Sequence, residues 1–353
     1  MNASNKVCII GAGSSGIVAA KVLHEQKIPF DCFEKGSQVG GNWRYENDNG
    51  ASSAYASLHI NTSKGKMAYS DFPMPAHYPQ YPHHSQVAEY FDAYVDHFGF
   101  REKIQFKTAV ENVAPEENGA WRVTLEDGRS EIYKAVLVAN GHHWKPNYPD
   151  FPGDFEGEHL HSHFYRRATD FEKLEEKNVL IVGVGNSSMD IASEISRFTK
   201  QTFVSTRRGA YVLPRYLFGK PIDSFVSPAG SYAPLTFQGF VLRTLSWIAN
   251  GSQQSYGVPK PKHKLTQEHP TLSSEFLVRA GHGDICMKPN VKKLRGAFVD
   301  FEDGSSEQID ILIYATGYKI CFPFFKKEVL DVKNNELPLY LHVARPGLKN
   351  LYF

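Results

Sequence analysis

The segment NVLIVGVGNSSMD, Asn178 to Asp190, decides the fold of this chain. Its apolar run Val179–Val182 has the β-branched character of a parallel strand that is covered on both faces. Gly183 permits a tight turn after that strand, and Gly185 lets the backbone approach a pyrophosphate at the start of the following helix. The segment therefore predicts a strand, a glycine turn and a helix that together bind a dinucleotide.

The segment departs from the usual fingerprint at its third small residue, where Ser188 stands in place of Gly or Ala. Alone, such a match is weak, because strand, glycine turn and helix also occur without a ligand. A near-copy, KVCIIGAGSSGIVAA, lies at Lys6 to Ala20 and has the complete pattern at Gly11, Gly13 and Gly16. Two fingerprints predict two bound dinucleotides, and we interpret Ser188 as a tolerated small residue that offers its hydroxyl to the phosphates.

The residues after the second strand of each unit distinguish the two dinucleotides. Glu34 lies 23 residues after Gly11, near the spacing at which a carboxylate accepts hydrogen bonds from a ribose 2′-hydroxyl. This glutamate favours FAD or NAD. The second unit has Thr206, Arg207 and Arg208 at the same point, and a guanidinium pair suits a 2′-phosphate, which favours NADPH over NADH. A solvated glutamate at a strand end and two ordinary surface arginines are the alternatives.

Composition excludes several classes of protein. The chain has 353 residues, enough for two domains, and its net charge of +1 gives no overall field that recruits nucleic acid or an acidic membrane. No apolar run reaches the length of a transmembrane helix. The four cysteines are scattered singly, without the spacing of metal ligands. They predict a reduced, cytoplasmic protein that uses cysteine as a small apolar residue and has no metal site.

Hydrophobic periodicity and turn residues predict the other elements. The predicted helices are Ser14–Gln26, Ser85–Phe98 and Ser187–Phe198. The predicted strands are Val7–Ile10, Phe30–Phe33, Lys103–Phe106, Trp121–Leu125, Tyr133–Val138, Thr202–Ser205, Phe298–Phe301 and Ile309–Tyr314. The irregular stretch Gly40–His84 is rich in aromatic residues, and we interpret it as a loop that wraps over a flat ligand.

This order of elements predicts an α/β protein with two Rossmann-like dinucleotide-binding domains. The Pro- and Gly-rich segment His142–Gly157 predicts a domain crossing. Because Phe298–Tyr314 echoes the strand, turn and strand of Trp121–Val138, we expect the strands after Val291 to rejoin the first domain. The second domain is then an insertion, and the turns at Ala139–Gly141 and Ala315–Gly317 serve as connectors. The predicted domains are residues 1–150, residues 151–295 and, as the return to the first domain, residues 296–353.

The segment FEGEHLHSHFY resembles the signature Phe-x-Gly-x-x-x-His-x-x-x-(Phe/Tyr) of the class B flavin-dependent monooxygenases, at Phe155, Gly157, His161 and Tyr165. The Baeyer–Villiger branch would have Trp in place of Tyr165, followed by Pro or Asp. The chain is therefore more similar to the flavin-containing branch, which oxygenates nitrogen and sulfur. Supporting similarities cover nearly the whole chain, at Gly40–Trp43, Asn61–Lys64, Tyr69–Pro73, Ser205–Gly209, Asp310 and Ala315–Tyr318.

The resemblance implies FAD in the first domain and NADPH in the second. It implies that NADPH reduces FAD, that reduced flavin and O2 form a C4a-hydroperoxide, and that a sulfide or an amine attacks the distal oxygen. The protein then has to exclude water and to offer fixed hydrogen bonds. Asn61 matches the family's active-site asparagine, whose amide donates and accepts, although a turn asparagine is the alternative. His161 is expected to have a structural role.

The candidate site residues follow from the fingerprints and from the resemblance. Asn61 is the predicted catalytic residue. The predicted cofactor-binding residues are Gly11, Gly13, Ser14, Ser15, Gly16, Glu34, Asn42, Trp43, Asn61, Thr62, Val110, Gly183, Gly185, Asn186, Ser187, Ser188, Thr206, Arg207, Arg208, Thr316 and Gly317.

The sequence leaves several functions open. The family's chains continue past a segment like Lys349–Phe353, so we interpret this chain as a fragment or as a naturally short member. Besides a monooxygenase of soft nucleophiles, the sequence allows an NADPH oxidase that releases H2O2, a Baeyer–Villiger enzyme and a non-catalytic dinucleotide-binding protein. A disulfide reductase is disfavoured because the sequence has no redox cysteine pair. The expected partners are a small sulfide or amine and O2, and a homodimer is left open.

Overall fold

A computed structural model describes residues 4–225, 232–265, 267–268 and 270–353. The described chain forms two compact units. The first is built from the residues up to Ala54, from His83–Pro146 and from Tyr318–Phe353. The second is built from Tyr55–Pro82 and Asn147–Gly317. The two units confirm the predicted α/β fold, in which the first domain is discontinuous in sequence.

The elements are numbered in chain order. The helices are α1 (Ser14–Glu25), α2 (Lys64–Met67), α3 (His84–His97), α4 (Asn186–Ile195), α5 (Leu235–Asn250) and α6 (Ser274–His282). The strands are β1 (Ser4–Ile10), β2 (Phe30–Phe33), β3 (Ile104–Gln105), β4 (Val110–Pro115), β5 (Trp121–Leu125), β6 (Ser130–Val138), β7 (Glu158–His161), β8 (Asn178–Val182), β9 (Gln201–Ser205), β10 (Val212–Leu213), β11 (Tyr216–Leu217), β12 (Lys220–Pro221), β13 (Thr271–Leu272), β14 (Ile285–Lys288), β15 (Val291–Arg295), β16 (Phe298–Phe301), β17 (Ser306–Gln308), β18 (Ile311–Tyr314) and β19 (Leu351–Tyr352).

The first unit is organised around a sheet of strand order β3-β2-β1-β6-β5-β4. β1 pairs in parallel with β2 and with β6, as in a dinucleotide-binding unit, and β4, β5 and β6 form an antiparallel meander. β19 returns to pair in parallel with β6. Trp121 joins this return to the core, because its indole nitrogen donates to the carbonyl of Lys349 at 2.9 Å.

The second unit is organised around a parallel sheet of strand order β14-β9-β8-β18-β7. The two central strands are apolar on both faces, as the sequence predicts for a strand that is covered on both sides. Val179–Val182 in β8 and Ile311–Tyr314 in β18 are buried at every position. A separate antiparallel meander of β15, β16 and β17 belongs to the same unit.

The structure corrects the predicted domain boundary at residue 296. We expected the strands after Val291 to rejoin the first domain, but β18 pairs with β8 and β7 in the second sheet. Its continuous apolar run is buried between these two neighbouring strands of the second sheet. The echo of Trp121–Val138 is therefore a repeat of one arrangement in each unit. The chain returns to the first unit at Tyr318.

The long irregular stretch Gly40–His84 divides between the two units. Its residues up to Ala54 belong to the first unit, whereas Tyr55–Pro82 belong to the second. The wrapping of this stretch over a flat ligand stays a prediction, and what the structure adds is this division. Its physical reason is a set of hydrogen bonds, such as the 2.8 Å bond from the Ala56 amide to the Arg166 carbonyl.

Two buried thiols lie in the first sheet. Cys8 and Cys32 are both 0% exposed, and burial raises the pKa of each thiol. Cys8 and Cys32 are therefore small apolar core residues, as predicted, whereas Cys286 is exposed and Cys321 is half-buried, so the prediction is wrong for Cys286. The predicted cytoplasmic location rests on cysteine usage alone and stays a prediction.

Helix α5 lies in the second unit and has apolar residues on both its buried and its exposed side. Leu242 and Leu245 on its inner side pack against the small core cluster of Leu213, Leu217, Ile222 and Leu265. Its other side exposes apolar residues with helical spacing, namely Phe237, Phe240, Val241, Trp247 and Ile248. In the described part of the chain, every helix falls short of the length and apolarity needed to cross a bilayer.

Candidate cofactor and active site

The first fingerprint forms a turn that only glycine fits. Gly11 has φ +100°, and a Cβ there would lie 2.5 Å from the carbonyl oxygen of Ala139. A Cβ on Gly16 would lie 1.9 Å from the carbonyl oxygen of Gly11. Gly13 is the N-cap of α1, and the helix begins at Ser14. The turn thus places the open N-terminus of a helix where an anionic pyrophosphate can bind.

The Gly40–Trp43 turn lies directly against this fingerprint. The amide of Gly40 donates to the carbonyl of Ala12 at 3.0 Å, and a Cβ on Gly41 would lie 3.2 Å from the Cα of Gly13. The structure therefore brings together two segments that the sequence assigns to one cofactor. Trp43 in this turn is half-buried.

Asn42 has a structural partner within the same loop. Its Oδ1 accepts hydrogen bonds from the amide of Ser53 at 2.8 Å and from the hydroxyl of Ser53 at 2.9 Å. The oxygen of Asn42 therefore holds the Gly41–Ala54 loop in place. Direct binding of a cofactor by this side chain stays a prediction.

Glu34 lies at the end of β2, where a ribose-binding carboxylate is expected. Its Oε2 accepts from the amide of Ala12 at 2.7 Å, and its Oε1 accepts from the amide of Gly36 at 2.8 Å and from Asn49 Nδ2 at 3.3 Å. A carboxylate offers about four acceptor positions, so about one remains for a ribose hydroxyl. Glu34 therefore links the fingerprint turn to the end of β2 and can still bind a ribose.

The remaining candidates of the first site lie in the same unit. Ser14 and Ser15 are the first residues of α1, and Ser15 is exposed. Val110 begins β4, two residues after Thr108, whose amide donates to the carbonyl of Glu34 at 2.9 Å. Val110 is therefore close in sequence to the residue that bonds to the end of β2, and its contact with a cofactor stays a prediction.

The second fingerprint repeats this construction at the end of β8. Gly183 has φ +118°, and a Cβ there would lie 2.3 Å from the carbonyl oxygen of Ala315. Gly185 is the N-cap of α4, and an added Cβ there would meet nothing within 4 Å. The oxygen of the Asn186 side chain accepts from the amide of Leu272 at 3.0 Å. The start of α4 is thus open for a ligand and is supported by Asn186.

The structure corrects the role of Ser188. Its hydroxyl donates to the carbonyl of Gly183 at 2.6 Å, and the residue is 0% exposed, so it does not face a phosphate. Ser188 instead closes the fingerprint turn from inside. The corresponding Gly16 has no room for any side chain, so the turn of the second unit is wider at this point. Ser187, beside it, is half-buried.

The residues after β9 form a turn that presents two arginines. The Thr206 hydroxyl accepts from the amide of Gly209 at 2.9 Å, and Thr206 is buried. Arg207 and Arg208 are exposed. Arg208 lies 2.9 Å from the Glu268 carboxylate, at a largely solvated position where such a pair contributes little. Thr206 therefore shapes the turn, and the guanidinium groups remain accessible to an anion.

These arginines line a cleft of about 480 Å³ in the second unit. Lys260 and Lys262 line it as well, although the sequence patterns did not indicate them. The cleft also contains the acidic residues Glu302 and Asp303. With Lys288, five cationic residues line this cleft, which suits a phosphate ester.

Backbone contacts connect the lysines to the arginine turn. The amide of Lys262 donates to the carbonyl of Arg208 at 2.9 Å. A Cβ on Gly209, which has φ +73°, would lie 3.2 Å from the Cα of Pro261. The sequence signal was the KPKHK run at Lys260–Lys264, but its position in the chain gave no reason to connect it with Arg207.

The Phe155–Tyr165 signature is a structural element of the second unit. A Cβ on Gly157 would lie 2.6 Å from the carbonyl oxygen of Asp310, so this glycine allows β7 to pair closely with β18. Tyr165 is fully buried and makes an edge-to-face contact with Tyr55, with ring centroids 6.2 Å apart. The signature thus marks how the edge strand packs in the second unit.

His161 is fully buried, and its hydrogen bonds define its protonation state. Nδ1 accepts from the amide of His163 at 3.1 Å, so Nε2 carries the hydrogen and donates to the carbonyl of Gly317 at 3.0 Å. Burial lowers the pKa of His161 to about 4. A neutral imidazole with a hydrogen bond at each ring nitrogen supports the structural role that we expected for this residue.

Thr316 and Gly317 close β18 where the chain leaves the second unit. The hydroxyl of Thr316 donates to the carbonyl of Asn147 at 2.5 Å, and the amide of Asn147 donates to the carbonyl of Gly317 at 3.0 Å. These bonds join the two ends of the Asn147–Gly317 segment of the second unit. Contact of Thr316 or Gly317 with a cofactor stays a prediction.

Asn61 and Thr62 belong to the second unit. Asn61 is exposed, whereas Ile60 before it is 2% exposed and Ser63 after it is 6% exposed. The amide of Ser63 donates to the Asp223 carboxylate at 2.7 Å. The chain therefore presents the Asn61 amide to its surroundings from a turn that is fixed on both sides.

The model of the family described as flavin-binding monooxygenase-like matches residues 4–351. The chain belongs to this family. It is 39% identical to flavin-containing monooxygenase 5 of Oryctolagus cuniculus, over 98% of this chain and 68% of that protein. It is 35% identical to dimethylaniline monooxygenase [N-oxide-forming] 2 of Macaca mulatta, over 99% of this chain and 68% of that protein. The resemblance drawn from the Phe155–Tyr165 signature is thus confirmed.

Solved structures of flavin monooxygenases have the same fold. The S-allyl-L-cysteine S-oxygenase of Allium sativum matches with a TM-score of 0.71 and 25% identity, over 99% of this chain and 71% of that one. The flavin-containing monooxygenase of Stenotrophomonas maltophilia matches with a TM-score of 0.74 and 20% identity, over 99% of this chain and 90% of that one. The second likeness is one of fold.

This flavin monooxygenase uses FAD and NADPH, as its family does. The residues of the two fingerprints fit these cofactors. In the first unit, Glu34 keeps an acceptor position for an unphosphorylated ribose. In the second, the cleft beside Arg207 and Arg208 has the cationic character that a 2′-phosphate needs. The structure assembles most predicted residues around these two turns and places Asn61 in the second unit.

Proposed function

We propose that this flavin monooxygenase uses O2 to oxygenate soft nucleophiles, adding one oxygen to the sulfur or nitrogen of small molecules. Relatives and a solved structure support the proposal, because their names describe N-oxide formation and S-oxygenation. The observation that carries it is local. An exposed amide, Asn61, lies on a fixed turn of the unit that also has the NADPH-type cationic cleft.

The chain's own residues bind and orient in this proposal. The helix N-termini at Gly13 and Gly185 bind the pyrophosphates, and Arg207 and Arg208 select the phosphorylated nucleotide. FAD and NADPH supply the redox and oxygen chemistry when they are bound. Asn61 offers one donor and one acceptor at a fixed position, which is the kind of preorganised dipole that stabilises developing charge without reorganisation.

The test measures stoichiometry. Purified protein that is loaded with FAD is mixed with NADPH, O2 and a thioether or a tertiary amine, and NADPH consumption, substrate oxide and H2O2 are measured together. The proposal expects close to one oxide per NADPH. H2O2 equal to NADPH, unaffected by any of several thioethers and amines, would establish the oxidase instead.

Two further outcomes would identify a different function. Conversion of a cyclic ketone to a lactone, with no oxide from sulfides or amines, would assign the chain to Baeyer–Villiger chemistry. If the protein cannot be loaded with FAD and shows no flavin absorbance, the result would indicate a non-catalytic dinucleotide-binding protein.

A further inference from the structure

The chain before Asn61 is anchored on the helix of the second fingerprint. The phenol of Tyr55 donates to Oδ2 of Asp190 at 2.7 Å, and the hydroxyl of Ser57 donates to the carboxylate of Glu194. Asp190 and Glu194 are four residues apart on α4, so they lie on the same face of that helix. Both upstream anchors of the Asn61 turn are therefore on one helix.

The chain after Asn61 is anchored beside the same carboxylate. The phenol of Tyr81 donates to the carbonyl of Arg215 at 2.5 Å. Arg215 in turn directs its guanidinium to Asp190, with 3.1 Å between Nη2 and Oδ1. Asp190 therefore receives a phenol from one end of the Tyr55–Pro82 segment and a guanidinium from the residue that binds the other end.

The Asp190 carboxylate lies at the centre of this arrangement and is largely enclosed. Burial raises the pKa of Asp190, and the adjacent Arg215 opposes that shift. Tyr55 is 3% exposed, and the pKa of its phenol is raised by burial and by Asp190. Tyr55 therefore stays a phenol and donates its hydrogen to the carboxylate at neutral pH.

Helix α4 connects this arrangement to the nucleotide. The helix begins at Asn186, directly after Gly185 of the fingerprint, and Asp190 is one turn further on. A pyrophosphate bound at the N-terminus of α4 would fix the position of the helix. Because Tyr55 is bonded to that helix, the turn that presents Asn61 would be fixed with it.

We propose that Tyr55 is a positioning residue for Asn61: its bond to Asp190 attaches the Asn61 turn to the nucleotide-binding helix, so that bound NADP(H) orders the turn. This inference rests on the proposed function for the role of Asn61 in catalysis. The coupling itself concerns only the second unit and can be measured without turnover.

The first experiment measures hydrogen exchange of the amides of residues 56–63 with and without NADP+. The wild-type chain is expected to show protection by NADP+ at these amides and at the start of α4. In Tyr55→Phe, the protection at residues 56–63 is expected to fall by about tenfold, while that at α4 remains. Phe keeps the ring and its contact with Tyr165.

Two variants keep this experiment decisive. Asp190→Asn preserves shape but weakens the anchor, and it is expected to reduce the same protection. Ser193→Ala is the matched control, since its hydroxyl bonds within α4 to the carbonyl of Met189 at 2.6 Å and does not reach the Tyr55 segment. If Tyr55 has only a structural role, Tyr55→Phe raises the exchange of residues 56–63 equally with and without NADP+. That result would overturn the proposal.

The second experiment uses a double-mutant cycle on the yield of substrate oxide per NADPH. If Tyr55 acts through Asn61, Tyr55→Phe lowers the yield in the wild-type chain and changes nothing further in Asn61→Ala. Additive losses would overturn the proposal. If Asn61→Ala keeps the wild-type yield, the proposed role of Asn61 fails, but the exchange experiment still decides the coupling.

Discussion

The Nε2 atom of His161 donates to the carbonyl oxygen of Gly317 at 3.0 Å, while Nδ1 accepts from the amide of His163. One neutral imidazole thus joins the edge strand β7 to the residue at which the chain leaves the second unit. A protonated ring could not accept at Nδ1. The geometry therefore makes the neutral state of His161 a condition of this junction.

We predict that this junction makes the protein sensitive to mild acid. The pKa of His161 is lowered to about 4 in the folded chain, against about 6.5 in an unfolded one. Between these values the unfolded state binds a proton that the folded state does not. The contribution of His161 to the free energy of unfolding is therefore fully present well above pH 6.5. It falls with falling pH by about 1.4 kcal/mol per pH unit until about pH 4.

The measurement compares thermal unfolding of wild type and His161→Gln at pH 7.5 and pH 5.5. Gln keeps a donor for Gly317 but does not titrate, so the variant should lose less stability over this interval. His159→Gln is the control, because His159 is exposed on the same strand. An equal loss in wild type and His161→Gln would show that His161 does not contribute.

The arginine turn predicts cofactor selectivity. We expect Arg207→Ala with Arg208→Ala to raise the KM for NADPH far more than that for NADH. Each charge-assisted hydrogen bond to a phosphate contributes about 1.5 to 3 kcal/mol, which corresponds to roughly tenfold or more per arginine. Steady-state kinetics with both nucleotides measure the difference.

The chain offers a matched control for that prediction. Arg197 is an exposed arginine of the second unit that pairs with Glu275, so Arg197→Ala removes the same charge outside the cleft. It should leave the preference for NADPH unchanged. Equal losses for NADPH and NADH in the double variant would refute a role of Arg207 and Arg208 in binding phosphate.

The two fingerprint turns should respond differently to small substitutions. Gly16→Ala would place a Cβ 1.9 Å from the Gly11 carbonyl oxygen, so we expect loss of FAD from the purified protein and a lower melting temperature. Ser188→Ala removes only one buried hydrogen bond, at a cost of about 1 kcal/mol. Because this hydroxyl bonds to the Gly183 carbonyl and not to the nucleotide, the KM for NADPH should stay within about twofold. A large rise in that KM would restore a phosphate role for Ser188.

Asn61→Ala should separate NADPH oxidation from oxygenation. Removal of one preorganised donor costs roughly a hundredfold in the step that it supports, so we expect NADPH to be consumed with H2O2 as the main product. Substrate oxide and H2O2 are measured together against NADPH. Asn178→Ala, at an asparagine of the same unit whose side-chain amide donates to the carbonyl of Gln308 at the surface, is the control. Wild-type oxide formation in Asn61→Ala would remove Asn61 from the mechanism.

Substitutions on the exposed side of α5 should change the binding of a hydrophobic dye but not the stability of the protein. Phe240 and Trp247 lie on the exposed side, so Phe240→Ser with Trp247→Ser should change the melting temperature little. The binding of a hydrophobic dye should fall, because the variant removes two large exposed apolar groups. Leu245→Ser on the inner side is the contrast and should destabilise the protein. A large loss of stability in the double variant would show that this side is packed.

The local elements could be predicted from sequence because their signals are local. Strands β2, β5 and β16 have the bounds that alternation and β-branched residues predicted, and α1 begins at the predicted Ser14. Glycine turns are equally local, since a positive φ or a close backbone contact admits no other residue. The same reasoning found Arg207 and Arg208 from their place after a strand.

Long-range assignments failed where one pattern fits two partners. The apolar run of β18 is suitable for the parallel part of either sheet, so its sequence could not select the second one. The sequence of the Lys260–Lys264 run is that of an ordinary charged loop. Only the structure shows that the amide of Lys262 donates to the Arg208 carbonyl. Ser188 could not be assigned either, because a small hydroxyl can face a ligand or a backbone carbonyl.

The sequence by itself determined that this chain has two dinucleotide-binding units, which cofactor each favours and which family it belongs to. These properties follow from short segments whose spacing is constrained by backbone geometry. Only the tertiary structure decided that Asn61 belongs to the NADPH unit and that Tyr55 bonds to Asp190, 135 residues away in the chain. Such contacts depend on the packing of distant segments, and local residue patterns carry no information about which distant partner is chosen.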